Sequence, residues 1–164
     1  MENPYLEKVY DLAKELNTAK NIKVILDTVA DYLPKVIDAK YCSLFVKNPS
    51  SEELELKAHN HQNIGADPFI HIGAEQESIM NLAISGNSSI MIRNIEEEIG
   101  FENKDKYNTK SFLSILVKHE EEIQGVLNLA DKKSGGFTKD DMLLASIIGE
   151  LLGALFVRID LSNI

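Results

Sequence analysis

The stretch SFLSILVKHEEEIQGVLNLA, residues 111–130, decides the fold because it predicts two antiparallel β-strands joined by a short turn. Residues 111–118 and 122–130 are rich in apolar side chains, and the polar turn His119-Glu120-Glu121 separates them. A connection this short joins antiparallel neighbours, since parallel strands need a long crossover. Gly125 lies inside the second strand, where glycine often marks a bulge or a close backbone approach.

A second hairpin is predicted earlier in the chain, where the hydrophobic pattern changes from helical spacing to alternation. Residues 41–47 (YCSLFVK) and 53–60 (ELELKAHN) are short strands on either side of Asn48-Pro49-Ser50-Ser51. That tetrapeptide has strong turn chemistry. Two further extended segments are expected at residues 70–72 and 89–95.

Helices are predicted before, between and after these strands. Apolar residues recur at helical spacing over residues 5–17, 20–38 and 76–85. Pro34 is expected to bend or loosen the last turn of the second helix. Helices that bracket antiparallel hairpins predict an α+β fold. We expect one domain over residues 1–164, with its core at about 20–160 and segment 5–17 as part of a dimer interface.

The last predicted helix, residues 139 to about 160, is apolar over an unusually wide arc. Thr138 and Asp141 form an acidic variant of the capping box at its start. A helix with so wide an apolar surface must bury two sides, so the sheet covers one and a second subunit is the candidate for the other. Its apolar residues are Leu143, Leu144, Ile147, Ile148, Leu151, Leu152, Leu155 and Phe156.

Composition and charge exclude several classes of function. The 164 residues carry a formal net charge of −9, which repels nucleic acid phosphates and anionic membrane surfaces. No apolar segment predicts a membrane span, and Met1-Glu2-Asn3-Pro4 does not resemble the start of a signal peptide. The single cysteine, Cys42, excludes an internal disulfide and fits a reducing, cytoplasmic location.

In their order and spacing, these strands and the loop after them resemble the GAF family of signalling modules. The strings that carry the resemblance are Tyr41–Val46, Ser111–Val117, Gly125–Leu129 and Asp131–Asp141. The resemblance implies a six-stranded antiparallel sheet with the terminal helices on one face and a small-molecule pocket on the other, roofed by the middle helix and loops. Members bind cyclic nucleotides, bilins, haem or oxoacids, or nothing known. They often form homodimers through their terminal helices and regulate an output domain such as a kinase, cyclase or transcriptional domain.

One motif of the family is only partly kept. Members that bind cyclic nucleotides carry Asn-Lys…Phe…Asp-Glu, where this chain has Asp131, Lys132, Phe137, Asp141 and Met142. The losses of Asn and Glu argue against a cyclic nucleotide. The retained lysine and aspartate can pair and pin the loop to the last helix, which is a structural role.

Strand alternation places Tyr41, Ser43 and Phe45 on one face of the sheet and Cys42 with its alternate neighbours on the other. We assign the first set to the pocket side, although packing under loops is an equal alternative. The polar and aromatic stretch from Asn94 to Thr109 resembles the roof of GAF pockets, with a solvated loop as the alternative. The candidate ligand-binding residues are Ser43, Phe45, Asn94, Phe101, Tyr107, Thr109, Ser111 and Asn128.

No residue pattern predicts catalysis or a metal site. Cys42 is expected to be a buried, inert thiol rather than a nucleophile or a bilin anchor. His59 and His61 share one strand end, and His71 is the better haem candidate, but surface histidines are the simpler interpretation. The acidic runs at 96–98 and 120–122 are expected to be solvated.

Three hypotheses follow. The first is a regulatory domain that is not an enzyme and that couples an unidentified small-molecule ligand to helix packing in a dimer. The second is a ligand-free dimerisation or protein-interaction module whose pocket is filled by Phe101, Tyr107 and Met80. The third is an enzyme of the free methionine sulfoxide reductase type, although members with that activity use several cysteines.

Overall fold

The computed structural model describes residues 3–61, 69–71, 78–103 and 107–158. Most of the predicted loop at 61–69 and the first two residues of the predicted helix 76–85 lie outside these ranges. The elements are α1 (Pro4–Thr18), α2 (Ile22–Ile37), β1 (Ala39–Lys47), β2 (Glu53–His59), β3 (Phe69–His71), α3 (Ile79–Gly86), β4 (Ile90–Ile92), α4 (Ile95–Glu98), β5 (Phe112–His119), β6 (Glu122–Lys132) and α5 (Lys139–Phe156).

The helices begin where polar side chains accept main-chain N–H groups that would otherwise lack partners. At α5 the predicted capping box is confirmed, since Asp141 N–H donates to Thr138 Oγ1 at 3.2 Å and Thr138 N–H donates to Asp141 Oδ2 at 2.9 Å. Helix α2 continues through Pro34 and ends at Ile37, so the proline does not end it. Within the described ranges, no helix combines the length and apolarity needed to cross a membrane.

The strands form one antiparallel sheet in the order β3-β2-β1-β6-β5-β4. Both predicted hairpins are present, as β1 with β2 and β5 with β6. Strand β6 lies between β1 and β5, so the hairpin that decides the fold also supplies the centre of the sheet.

Alternation along the three central strands gives the sheet two different faces. One face packs against α2 and α5, with α1 packed on α2, and is mainly apolar; we call it the helix face. The other face lies under α3 and α4 and mixes aromatic, polar and apolar side chains; we call it the cavity face. The helix face carries Cys42, Leu44, Val46, Leu113, Ile115, Val117, Leu127 and Leu129.

Helix α5 lies unusually close to β5 because two of its residues are glycines. A Cβ atom built on Gly153 would lie 2.2 Å from the carbonyl oxygen of Lys118, and one on Gly149 would lie 3.1 Å from Ile115 Cγ2. Only a residue without a side chain allows the Gly153 approach. The helix is therefore held against the strand by main chain rather than by side chains at this point.

A buried ion pair fixes the ends of three elements on the helix face. The Lys132 ammonium, at the end of β6, donates to the carbonyl oxygen of Ile37 at the end of α2. It also lies 3.1 Å from Asp141 Oδ2 in the first turn of α5, and both side chains are largely buried. The pairing predicted for Lys132 and Asp141 is thus present.

Replacing Gly153 by alanine tests the close approach of α5. Alanine favours helix by about 1 kcal/mol over glycine, but here its methyl group collides with a carbonyl oxygen, so we expect a net loss of about 1–3 kcal/mol. The matched change Gly86→Ala, at the end of α3 with no atom within 4 Å of the new Cβ, should be neutral or stabilising. Urea denaturation measures both, and equal effects would contradict the close approach.

Replacing Lys132 by methionine tests the buried ion pair. The change leaves the Asp141 carboxylate without its cation, and we expect a loss of about 3–5 kcal/mol in the free energy of unfolding. The control is Lys133→Met, because the described ion pair of the Lys133 side chain is an exposed one, 4.0 Å from Asp38. That variant should change stability by less than about 1 kcal/mol. A small effect at Lys132 would show that the pair does not hold the fold.

Candidate functional site

A cavity of about 220 Å³ lies between the cavity face of the sheet and the segments that cover it. Helices α3 and α4 and the segment after α4 supply its other walls. Its described lining residues are Tyr41, Ser43, Phe45, His61, Ser78, Ile79, Met80, Ile95, Phe101, Glu102, Tyr107, Phe112, Leu113, Ser114, Asn128, Leu129 and Ala130.

The cavity face is ordered into three rows that run across β1, β6 and β5. Each row contains one residue from each strand, and neighbouring rows are two residues apart, or about 7 Å along the strands. The aromatic row is Tyr41, Ala130 and Phe112; the polar row is Ser43, Asn128 and Ser114; the apolar row is Phe45, Val126 and Leu116. The apolar row packs against α3 and contributes Phe45 to the described lining, so the cavity opens mainly over the other two rows.

The polar row holds a hydrogen-bonded amide on the floor of the cavity. Ser114 Oγ donates to Asn128 Oδ1 at 2.7 Å, which fixes the orientation of the amide group. Asn128 Nδ2 then donates to Met80 Sδ at 3.3 Å. A thioether is a weak acceptor, so a carbonyl or hydroxyl oxygen from a guest molecule is a better partner for this N–H group.

The aromatic row continues into a cluster of rings at one end of the cavity. Tyr41 stacks on His61 with the ring centroids 4.6 Å apart. Tyr107 makes edge contacts with Tyr41 at 5.7 Å and with Phe112 at 4.9 Å. Burial raises the pKa of Tyr107 to about 12, with Tyr41 and Asp131 adding to the effect, so its hydroxyl stays protonated at neutral pH.

A buried carboxylate lies next to this aromatic cluster. Asp131 is 2% exposed and has a left-handed backbone conformation with φ of 65°. Its Oδ1 accepts the N–H of Thr109 at 2.7 Å. Within the described residues its Oδ2 is buried and has no hydrogen-bond partner. Asp131 therefore places an incompletely compensated negative charge beside Tyr107.

Five of the predicted ligand-binding residues line the cavity, namely Ser43, Phe45, Phe101, Tyr107 and Asn128. Sequence reasoning did not select Ser114, Tyr41 or His61 as candidate ligand-binding residues, although it placed Tyr41 on the correct face.

The other three predicted residues stabilise the main chain around the cavity and are not among its lining residues. Asn94 caps α4 by accepting the N–H groups of Glu96 and Glu97. Ser111 Oγ donates to the carbonyl of Ile92 and accepts the N–H of Phe137. Thr109 contributes main-chain groups, since its N–H donates to Asp131 Oδ1 and its carbonyl oxygen accepts from Asn103 Nδ2.

Charged and metal-binding groups are sparse in the cavity. Among its described lining residues Glu102 is the only carboxylate, and none is lysine or arginine. Across the described ranges, no three histidine, cysteine or acidic side chains are grouped as metal ligands. The side chain of His71 lies outside the described residues, as do Asp105 and Lys106 of the expected roof.

The one thiol lies on the other side of the sheet. Cys42 is 1% exposed and packs within the core of the helix face, while its neighbours Tyr41 and Ser43 line the cavity. Burial raises the pKa of Cys42 well above its usual range, so the thiolate is not populated.

Solved structures of other proteins share this architecture. The GAF domain of a phosphoenolpyruvate-protein phosphotransferase from Acinetobacter is 16% identical, with a TM-score of 0.79 over 96% of this chain and 95% of that chain. The corresponding domain from Coxiella burnetii is 20% identical, with a TM-score of 0.76 over 94% and 93%. A free methionine-R-sulfoxide reductase from Neisseria meningitidis, in complex with its substrate, is 14% identical, with a TM-score of 0.74 over 96% and 92%.

At these identities the structural likeness shows the shared fold alone. No curated protein sequence matches the chain. A family model for the GAF domain matches residues 21–154, which is most of the sequence, and agrees with the resemblance seen in its strands and loop. The chain therefore belongs to the GAF domain family.

Proposed function

We propose that this domain is a cytoplasmic sensor that binds a small molecule and regulates an output domain, without catalysing a reaction. The observation that carries the proposal is the cavity, which combines an aromatic end with a fixed amide on its floor. Small-molecule sites typically have this mixture of apolar walls and a few oriented polar groups. The output domain would be a kinase, a cyclase or a transcriptional domain.

The size and charge of the cavity limit the class of ligand that it can bind. A volume of about 220 Å³ is below the roughly 300–1,000 Å³ of sites for drug-sized molecules. This favours a compact metabolite over haem or a bilin. The described lining residues offer no lysine or arginine to a phosphate, which argues against a cyclic nucleotide.

A chain of contacts links the cavity to the helix face and offers a route for regulation. Thr109 and Ser111, which follow the segment over the cavity, bond to Asp131 and to Phe137 respectively. Lys132, the next residue after Asp131, pairs with Asp141 of α5. A ligand that orders the covering segment would act on α5 through these contacts, provided that it binds one arrangement more tightly than the other.

The partner we propose for α5 is a second copy of the chain. Leu143, Ile147 and Leu151 form a stripe on α5 and are 52%, 56% and 61% exposed. Residues four apart lie on the same side of a helix, so these three side chains make one apolar surface. On α1, Leu6 and Tyr10 are also exposed, which supports pairing through the terminal helices.

The alternatives are less well supported. Phe101, Tyr107 and Met80 line a cavity instead of filling it, which disfavours the ligand-free module. The reductase hypothesis draws on the similar fold of such enzymes. It is disfavoured because the only thiol, Cys42, is buried on the opposite face of the sheet.

Paired substitutions on the two faces of β1 and β6 test ligand binding. Asn128→Leu removes the amide from the cavity floor, and we expect at least a tenfold loss of affinity for the natural ligand, or about 1.4 kcal/mol. Cys42→Ala changes the helix face only and should leave binding intact. Native mass spectrometry of gently purified protein measures retained ligand. Loss of binding in the Cys42 variant alone would instead support thiol chemistry.

Charge substitutions on the exposed stripe test the dimer. Ile147→Glu places a carboxylate in the proposed interface, where it must be desolvated, so we expect the protein to become monomeric at micromolar concentration. Val24→Glu makes the same kind of change at an exposed apolar residue of α2. It should leave the dimer unchanged. Light scattering after gel filtration gives the mass, and a monomeric unsubstituted protein would refute the proposed partner.

A further inference from the structure

The aromatic end of the cavity has the geometry of a site for a positively charged group. Tyr107 and Phe112 meet edge to face, Tyr41 contacts Tyr107, and Phe101 lines the same cavity. Ring faces carry negative charge density and attract ammonium groups that lie within about 6 Å. One such contact is already present outside the cavity, where the Lys40 Nζ lies 5.1 Å from the Tyr41 ring centroid.

The charged groups near the aromatic end of the cavity are acidic, which suits a positively charged ligand. Glu102 lines the cavity, and Asp131 lies behind Tyr107 with one carboxylate oxygen buried and without a hydrogen-bond partner in the described chain. Asp131 is close enough to Tyr107 to raise the pKa of its phenol. No described lining residue is a lysine or arginine, and His61 is the basic side chain among them. Asp131 is 2% exposed, so water screens its carboxylate weakly, whereas Glu102 is exposed and its attraction for a cation is more strongly screened.

The polar row requires that the ligand also carry a hydrogen-bond acceptor. Asn128 Nδ2 is an N–H donor whose present partner is the weak acceptor Met80 Sδ. The polar row lies two residues from the aromatic row on each strand, which is about 7 Å. A guest that satisfies both rows therefore carries a positive nitrogen at one end and a hydrogen-bond acceptor several ångströms away.

We propose that the ligand of this domain is a small organic cation, an amine or quaternary ammonium compound with a carbonyl or hydroxyl oxygen at its other end. Its nitrogen lies against Tyr107 and Phe112 and near Glu102, and its oxygen accepts from Asn128. The inference rests on the proposed sensor function and adds the chemical class of the ligand to it.

Two molecules of the same shape and different charge test the inference. Acetylcholine and 3,3-dimethylbutyl acetate differ only in the replacement of the positive nitrogen by carbon, so calorimetric titration of both isolates the charge. We expect the cation to bind at least about tenfold more tightly than the neutral ester. Cyclic AMP serves as the anionic probe and is expected not to bind.

Substitutions at Glu102 and Tyr107 test whether these residues cause the preference for the cation over the neutral ester. Glu102→Gln should reduce the preference for the cation to about threefold, because it removes one carboxylate from the wall. The matched change Glu97→Gln, on exposed α4 and outside the lining, should leave the preference unchanged. Tyr107→Leu should weaken the binding of acetylcholine about tenfold, with little effect on the binding of the neutral ester.

The outcomes separate this inference from the proposed function. If the neutral ester or cyclic AMP binds as tightly as acetylcholine, or if the natural ligand retained in native mass spectrometry is an anion, the cation assignment is wrong and the sensor function stands. If the protein retains no ligand and none of the three probes binds, both proposals fail. An unchanged preference in Glu102→Gln also overturns the assignment.

Discussion

The buried ammonium of Lys132 is the interaction on which the rest of the structure depends. It joins the carbonyl end of α2 to the first turn of α5 from a position at the end of the central strand β6. The partially negative C-terminus of α2 suits the Lys132 ammonium, and the partially positive N-terminus of α5 suits the Asp141 carboxylate. The Asp141 carboxylate also completes the capping box with Thr138. Lys132 therefore joins α2 and α5 to the central strand, on the face of the sheet opposite the cavity.

Simple alternation predicts how residues divide between these two faces. Cys42 packs in the helix-face core, whereas Tyr41, Ser43 and Phe45 line the cavity, as the pattern of β1 indicates. The rule works because a side chain on a strand has only two directions available and one face of the three central strands is mainly apolar. The capping box was equally predictable, since it depends on residues only three apart in sequence.

What the sequence could not predict depends on register and on competition for polar groups. Glu120 and Glu121 both have positive φ, at 50° and 68°, in a tight turn that Asn-Gly more often forms. The bulge beside Gly125 then shifts the register by one residue, so that Ser114 lies opposite Asn128. Near the cavity, Ser111 bonds to main chain instead. A serine looks the same in a sequence whether its partner is a guest molecule or a peptide group.

The carbonyl of Lys118 beneath Gly153 restricts how α5 can move. If the helix rolled about its own axis, a neighbouring residue with a side chain would come against that oxygen, where only a hydrogen atom fits. Rolling is thus blocked at this contact. In the proposed dimer, a signal that reaches α5 would therefore move the helix without rotating it about its own axis.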